Sequence, residues 1–324
     1  MDSKPKLAVI LNPVSGKGLA VETWSKVAPN ASASYDVTVF KTERAGHAIQ
    51  LTQQAINEGN LMLVAVGGDG TLSEVVNGYI LANGKDLGAA IGVLHCGTGG
   101  DYIKTMEIPQ KTSDAWNIIV NGKTVEVDAG KLVSTPYGTA DSAERYFINI
   151  ASFGLSANLI KKLSDAPKIV HSILGSLKYK AYVVYCHAAV KQPSIKITIQ
   201  DSPSNPPTST TIEKLYIMTI GNGKYFGNGM KVLRDSDPSD GLFNCLTVQD
   251  PTNAEFLLHA DRGLKLGDFH ERVPSKASVC MGVKVIAEPV NGESNVWIEA
   301  DGEVAGVLPA QFSVLPRAVR LFVL

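Results

Sequence analysis

Long apolar runs are missing from this sequence. The longest after the first strand, Ala181 to Val190, has ten residues, about half of the ~20 that a membrane-spanning helix needs. The early run "KLAVIL" is too short for a signal peptide. Cysteine is scarce: Cys96, Cys186, Cys245 and Cys280 stand far apart and form no CxxC. That excludes a zinc ribbon and a disulfide scaffold, and predicts reduced thiols in a reducing compartment. Neither sign of charge prevails, with 30 basic and 31 acidic residues. The basic residues are scattered, which argues against a nucleic-acid partner. Six histidines are dispersed without the HxxxH spacing of a metal site. No internal repeat is visible. The expectation is a cytoplasmic globular protein of 324 residues, long enough for two domains.

What is present alternates between two periods. "KLAVILN", "YDVTVFK", "LMLVAVG" and "AIGVLH" read as buried strands, separated by helical patterns near Leu19–Ala28, Ala45–Glu58 and Thr71–Ala82. That order predicts a parallel sheet covered on both faces, with ligands beyond the carboxyl ends of its strands. From Thr124 onward the period is two, clearest in "IKITIQ", Ile195 to Gln200. An antiparallel sandwich or barrel is expected there. The predicted division is 1–125 for an α/β domain and 126–305 for the β domain, with a linker near Gly122–Asp128. "DSPSNPPTSTT", Asp201 to Thr211, reads as a hairpin loop. Further helices are expected near Ala157–Val190 and Asn253–Leu266.

Three glycine-rich loops follow predicted parallel strands. In "GGDGT", Gly67, Gly68 and Gly70 let a ligand approach the main chain. A helix start offers free N–H groups to phosphate. Asp69 would repel that phosphate unless a cation such as Mg²⁺ lay between. The helix is expected to begin at Thr71 with Glu74 completing a capping box. "LNPVSGKG", Leu11 to Gly18, lacks the Walker A spacing, yet Ser15, Gly16 and Gly18 suit an anion nest with Lys17 beside it. "CGTGGD", Cys96 to Asp101, is the third. "GNGKYFGNGM", Gly221 to Met230, has the wrong spacing for a dinucleotide fingerprint and no helix after it. It reads as a loop or bulge near a ligand. "RDSDPSDGLFN" places Asp235, Asp237 and Asp240 in one turn, which is either self-capped or a hard-cation site. "IEADGEVAG" alone reads as an Asp-Gly hairpin. Lys161, Lys162, Lys168, Lys178 and Lys180 surround an apolar segment and form either a solvated face or a headgroup contact.

These loops, in this order, resemble the diacylglycerol kinase catalytic family, which includes bacterial soluble lipid kinases and sphingosine kinases. The resemblance rests on "NPVSGKG", "GGDGTLSEVVNG", "GTGGDYIKT", "DAGKL", "FINIASFGLSA", "GNGKYFGNGMKV", "SDGLFNCLTV" and "ADGEV". GGDGT alone also occurs in NAD kinases, with relatives in phosphofructokinases. The resemblance implies an NAD-kinase/phosphofructokinase-like α/β domain, a β-sandwich domain, an active cleft between them, and a last strand, 306–324, returning to the first domain. It implies ATP contacts at Asn12, Pro13, Ser15, Gly16, Lys17, Thr42, Gly67, Gly68, Asp69, Gly70, Thr71, Leu72, Ser73 and Thr98. It places the catalytic base on Glu303 with Asp301 beside it; on charge grounds Mg²⁺ is expected near Asp69 and Asp101, with Asp69 counted among the catalytic acids. A second Mg²⁺ site would use Asp240 with carbonyls of Asp237 and Leu242. The implied reaction is ATP- and Mg²⁺-dependent phosphorylation of a lipid hydroxyl, diacylglycerol first, with a sphingoid base or phosphatidylglycerol as alternatives. The implied partner is a lipid met transiently at a membrane surface; a homodimer is left open, as is a silent lipid-binding protein on the same scaffold. The chain departs from the family where Gly100 replaces the Asn of GTGND, where His95-Cys96 precede that loop, and where Arg234 stands for Pro.

Overall fold

The computed structural model describes residues 4–165, 192–290, 292 and 295–324. Lys168, Lys178, Lys180 and most of the 157–190 region lie outside them. The first part runs β1 (Lys6–Leu11), α1 (Leu19–Ser34), β2 (Asp36–Lys41), α2 (His47–Asn57), β3 (Met62–Gly67), α3 (Asp69–Leu81), β4 (Ala90–His95), α4 (Asp101–Thr105) and α5 (Thr112–Asn121). It continues through β5 (Lys123–Thr135), β6 (Ala143–Phe147), β7 (Ile150–Gly154), α6 (Leu155–Asp165), β8 (Ile195–Gln200), β9 (Thr208–Ile212), β10 (Leu215–Gly221) and β11 (Phe243–Gln249). The last elements are α7 (Asn253–Leu266), α8 (Phe269–Arg272), β12 (Ala277–Gly282), β13 (Lys284–Pro289), β14 (Trp297–Ala300) and β15 (Glu303–Val323).

β4-β3-β1-β2 form the parallel sheet. Its strands are near-continuous apolar runs because both faces are covered. Leu63, Ala65 and Ile91 pack against α2 and α3, and Leu7, Val9 and Val64 pack on the α1 and α5 side. The later strands pair antiparallel, and their period-two alternation sends one face into a sandwich core around Phe147, Phe153, Phe243 and Phe312. The opposite face of β7, β10 and β11 carries Ile150, Tyr216, Leu246 and Val248, packed with Leu155, Leu159 and Phe269 of the helices above.

One feature differs from the expected linker. β5 runs unbroken from Lys123 through Asp128, where it pairs with the end of β15, Val323↔Lys123 to Val319↔Val127. Farther along the same ladder, Val314↔Gly130 to Ala310↔Ser134 belongs to the sandwich. β15 also meets β4 in parallel at Leu321↔Ile91. A segment laddered residue by residue to β15 cannot be a loose connection.

The local start of α3 also differs. It begins at Asp69, with Gly68 as N-cap and no side-chain cap. Glu74 instead reaches across to α2, where its two oxygens accept the N–H groups of Gly46 (2.8 Å) and Ala48 (3.0 Å). A carboxylate at a helix N-terminus is favourable whichever element supplies it. A capping box does occur at α7, between Thr252 and Glu255.

Two buried carboxyl groups brace the sandwich. Asp128 accepts the N–H of Gly241 and of Arg317, each at 2.7 Å. Replacing it by Ala strands two donors, at ~1–3 kcal/mol each, so Asp128→Ala is expected to lower unfolding stability by about 2–5 kcal/mol in urea titrations, and Asp128→Asn by less. Glu299, fully buried on β14, accepts the Gly302 N–H at 2.9 Å and shares a short hydrogen bond with Ser152 Oγ. Burial pushes its carboxyl from 4.5 up to about 7, against the pull of Ser152 and Gly302, with Asp301 adding to the rise. Between those values the folded chain keeps a proton that the unfolded chain gives up. Stability should therefore fall as pH rises from 4.5 to about 7, by up to the order of 3 kcal/mol, and level off above. Glu299→Gln should remove that part of the pH profile.

Candidate active site

The phosphate-type loops meet at the carboxyl ends of the parallel strands, and they touch through backbone. Gly16, at φ 59°, lies so close to the Cys96 carbonyl that a Cβ would sit 2.1 Å from that oxygen. A Cβ on Gly68 would lie 3.5 Å from both Gly97 Cα and Ser15 Oγ. Asn12 ties two loops together, its Nδ2 donating to Thr71 Oγ1 at 3.1 Å and its Oδ1 accepting the Val14 N–H at 3.3 Å. Pro13, Ser15 and Lys17 occupy the turn between β1 and α1. Thr42 is buried after β2, and its N–H donates to the Leu11 carbonyl. Leu72 and Ser73 are buried in the first turns of α3. Gly67, Gly68, Gly70 and Thr98 complete the rim.

Asp69 is held from the neighbouring loop: Gly100 N–H donates to its Oδ2 at 2.8 Å, and His95 Nε2 stands 3.7 Å away. Burial works to raise its carboxyl, but the imidazole of His95 and the N–H groups of Gly100 and Asp101 outweigh burial and hold it below the usual range. Asp69 is therefore ionised at neutral pH. Gly100 has φ 69°, the left-handed region that Gly and Asn tolerate best. Left-handed backbone at Gly100 is what aims this N–H at Asp69.

Asp101 opens α4, accepts the Asn228 N–H at 2.8 Å, and has Lys104 Nζ at 3.5 Å. The Gly221–Met230 loop is in this way pinned over the third glycine loop. Among the described residues Asp69 Oδ1 and Asp101 Oδ1 are buried without a hydrogen-bond partner, the second with the Lys104 ammonium as an ion-pair neighbour. Two hard oxygen donors facing one cavity fit a divalent cation of the Mg²⁺ type.

The acids of the β14–β15 turn come from the other half. Asp301 (φ 50°) and Gly302 (φ 83°) both take positive φ, as a two-residue type I′ hairpin requires. The Asp301 carboxylate accepts the N–H groups of Ile148 and Asn149, each at 3.0 Å. Burial raises its carboxyl above the ordinary value, opposed by those two donors. Glu303 points elsewhere: its Oε2 pairs with Arg145 at 2.6 Å, and its Oε1 lies 3.6 Å from where a Cβ on Gly70 would stand.

A cavity of about 650 Å³ joins these parts. One end is lined by Asp69, Thr98, Asp101, Asn149 and Asp301; the other by Leu155, Leu159, Tyr216, Val248 and Phe269. Glu303 does not line it. The structure thus brings Asp69, Thr98, Asp101 and Asp301 to one cavity and sets Glu303 beside the α3 terminus. Asp237, Asp240 and Leu242 lie apart, in a turn that caps itself: Asp237 Oδ1 accepts from Ser239, and Asp240 Oδ1 from Leu242 N–H. Among the described residues no three His, Cys, Asp or Glu side chains converge as a metal cluster there or elsewhere. Arg145, Asn149, Asn228 and Asp128 are the residues that sequence reading missed. Asp128, Asn149 and Asn228 fall inside motifs quoted above and Arg145 in none, but their partners lie many tens of residues away, so nothing local told their roles.

The comparisons with known proteins follow this division. The Diacylglycerol kinase catalytic domain family matches residues 6–132, and the YegS C-terminal NAD kinase beta sandwich-like domain matches residues 150–323. A curated diacylglycerol kinase of Staphylococcus epidermidis is 26% identical, covering 98% of this chain and 92% of its own length. One from Staphylococcus aureus is 27% identical over the same shares. Two crystal structures from Bacillus anthracis str. Sterne cover all of this chain, with TM-scores of 0.73 and 0.67 at 19% and 17% identity, covering 97% and 98% of those chains. The second is described as a diacylglycerol kinase. Those two share the fold: a parallel core continued into an antiparallel sandwich. With both of its halves matched in order, the chain belongs to the diacylglycerol kinase catalytic family and is a lipid kinase.

Proposed function

We propose that the chain transfers the γ-phosphoryl group of ATP to the hydroxyl of diacylglycerol, giving phosphatidic acid. The observation that carries this is the cavity, which runs from the carboxylates at the glycine loops to an apolar wall under α6 and α8. Acyl chains suit the apolar end, and burying them costs no polar desolvation. The headgroup hydroxyl then lies at the polar end, opposite Asp69 and Asp301.

Phosphoryl transfer needs mainly positioning and neutralisation of charge. The backbone N–H groups at Ser15–Gly16, Gly68–Thr71 and Thr98 would hold the phosphates, with Thr42 and Lys17 at the rim. Asp69 and Asp101 would hold Mg²⁺, which supplies charge neutralisation when bound. Asp301 would accept the hydroxyl proton, since it borders the cavity and burial raises its basicity. Glu303, paired with Arg145, would brace the turn against the start of α3. The Asp237–Leu242 turn would take a second, structural cation: burial raises the Asp240 carboxyl, and the negative charges of Asp237 and Asp128 add to it, so a cation there relieves repulsion. Among the described residues no helix is long and apolar enough to cross a membrane. The lipid would therefore be taken up in transient contact with a membrane surface.

Incubation with labelled ATP, Mg²⁺ and a panel of diacylglycerol, a sphingoid base and phosphatidylglycerol, with products resolved by chromatography, should yield labelled phosphatidic acid first. Label on another lipid alone would reassign the acceptor. Asp301→Asn should lower kcat by ~10²–10⁴-fold while nucleotide still raises the Tm. Glu303→Gln should lower it less; the reverse order would move the base to Glu303.

A further inference from the structure

The wall of the cavity under α6 is largely apolar, and Thr219 and Ser156 are polar side chains that line it there; they belong to one row. Glu299, Ser152 and Thr219 are register partners on β14, β7 and β10. Their strand neighbours Ala300, Phe153 and Met218 enter the sandwich core. Alternation therefore points the row the other way, toward α6 and the cavity. Ser156, in the first turn of α6, completes it: Ser152 Oγ and Ser156 Oγ are 2.6 Å apart. All four residues are at most 5% exposed.

Two of these groups have capacity left. Thr219 lines the cavity, and among the described residues its Oγ1 has no hydrogen-bond partner. Ser156 also lines the cavity, and among the described residues its hydroxyl is engaged by Ser152 alone. Buried polar groups are normally satisfied, so an occupant is the natural source of the missing partner. The place of the row defines that occupant. Asp301 N–H is bonded to the Ile150 carbonyl, and Ser152 stands two residues farther along β7, ~7 Å away. Beyond the row the wall is largely apolar, with Leu155, Leu159, Leu246, Val248, Phe269 and also Lys265 among its lining. A polar atom a few bonds from the reacting hydroxyl, just before the hydrocarbon begins, is the acyl carbonyl of a glycerolipid.

We propose that Thr219 and Ser156 form a subsite that donates hydrogen bonds to an ester carbonyl of the acceptor lipid, with Glu299 as a positioning residue acting through Ser152. This rests on the acceptor reading above. An ionised Glu299 accepts from Ser152 Oγ; carrying its proton, which burial favours up to about 7, it would donate to Ser152 instead, Ser152 to Ser156, and the Ser156 proton would then point into the cavity. The charged groups around Glu299 are few. Asp301 lies in its own turn and Arg145 on β6, and from α6 Lys161 stacks on Trp297 at 4.9 Å.

The test compares diacylglycerol with its dialkyl-ether analogue, which keeps the hydroxyl and chains but lacks carbonyls. Wild type should favour the ester in KM by about five- to tenfold, roughly the worth of one hydrogen bond. Thr219→Val and Ser156→Ala should collapse the ester-over-ether ratio toward one, acting on KM rather than kcat. Thr219→Ser should restore it. Glu299→Gln, whose amide donates permanently to Ser152, should keep the ratio, and Glu299→Leu should lose it. Equal treatment of the two lipids by wild type, or an unchanged ratio in Thr219→Val, overturns the subsite. The same comparison by nucleotide-free binding of each lipid in detergent micelles decides the point independently. Turnover of neither lipid together with ester-selective binding would overturn the proposed reaction and leave the subsite standing.

Discussion

The distance between the two halves of the site is fixed by one ladder, the antiparallel pairing of Lys123–Thr135 with Glu303–Val323. β15 leaves the Asp301–Gly302 turn, crosses the sandwich, and ends beside β4 of the parallel sheet. An acid at one end of this strand and a phosphate-type loop near the other are therefore parts of one hydrogen-bonded sheet. A hinged linker would have let the halves drift, and positioning to within a fraction of an ångström is what phosphoryl transfer asks of its catalyst. The Asp301 carboxylate adds a second tie, since its two oxygens hold the backbone where β6 gives way to β7.

That rigidity explains the shape of the cavity. Its floor is the outward face of β7, β10 and β11, whose inward face is occupied by the sandwich core. The sheet is thus apolar on both sides, an unusual demand on an antiparallel sheet. The described helices cover the outward face only in part. What they leave open is the cavity, into which Thr219 of the Glu299–Ser152–Thr219 row brings a polar group.

Much of this was legible in the sequence, for identifiable reasons. Lys6–Leu11, Met62–Gly67 and Ala90–His95 are short apolar runs between helical patterns, and a buried parallel strand has few other spellings. The Asp-Gly turn at 301–302 was readable because positive φ at two successive positions restricts the residue choice. Glu74 was misread because spacing suggests the nearest partner, Thr71, whereas the groups it satisfies lie 26 and 28 residues earlier. The segment near Gly122 was read as a linker because the period changes there, yet a strand that pairs with both kinds of neighbour changes period without breaking. Arg145 pairs with Glu303 across 158 positions and Ser152 with Glu299 across 147. No single-sequence pattern reports contacts of that span.

The acids of the site differ in what burial does to them, and that difference separates their roles. Asp69 is held below the usual range because an imidazole and backbone N–H groups surround it; a group that stays charged suits a cation. Asp301 and Glu299 are raised, because burial outweighs the donors they have. A lipid filling the apolar end would expel water and strengthen the same effect. Desolvation favours the neutral form of a carboxyl, so in the proposed reaction Asp301 would become a stronger base as the acceptor arrives, with its two backbone donors keeping it from being protonated too early. A carboxyl in this wall would thus be poised by its substrate, and in the proposed subsite the same drying would keep Glu299 neutral and its hydroxyl chain directed into the cavity.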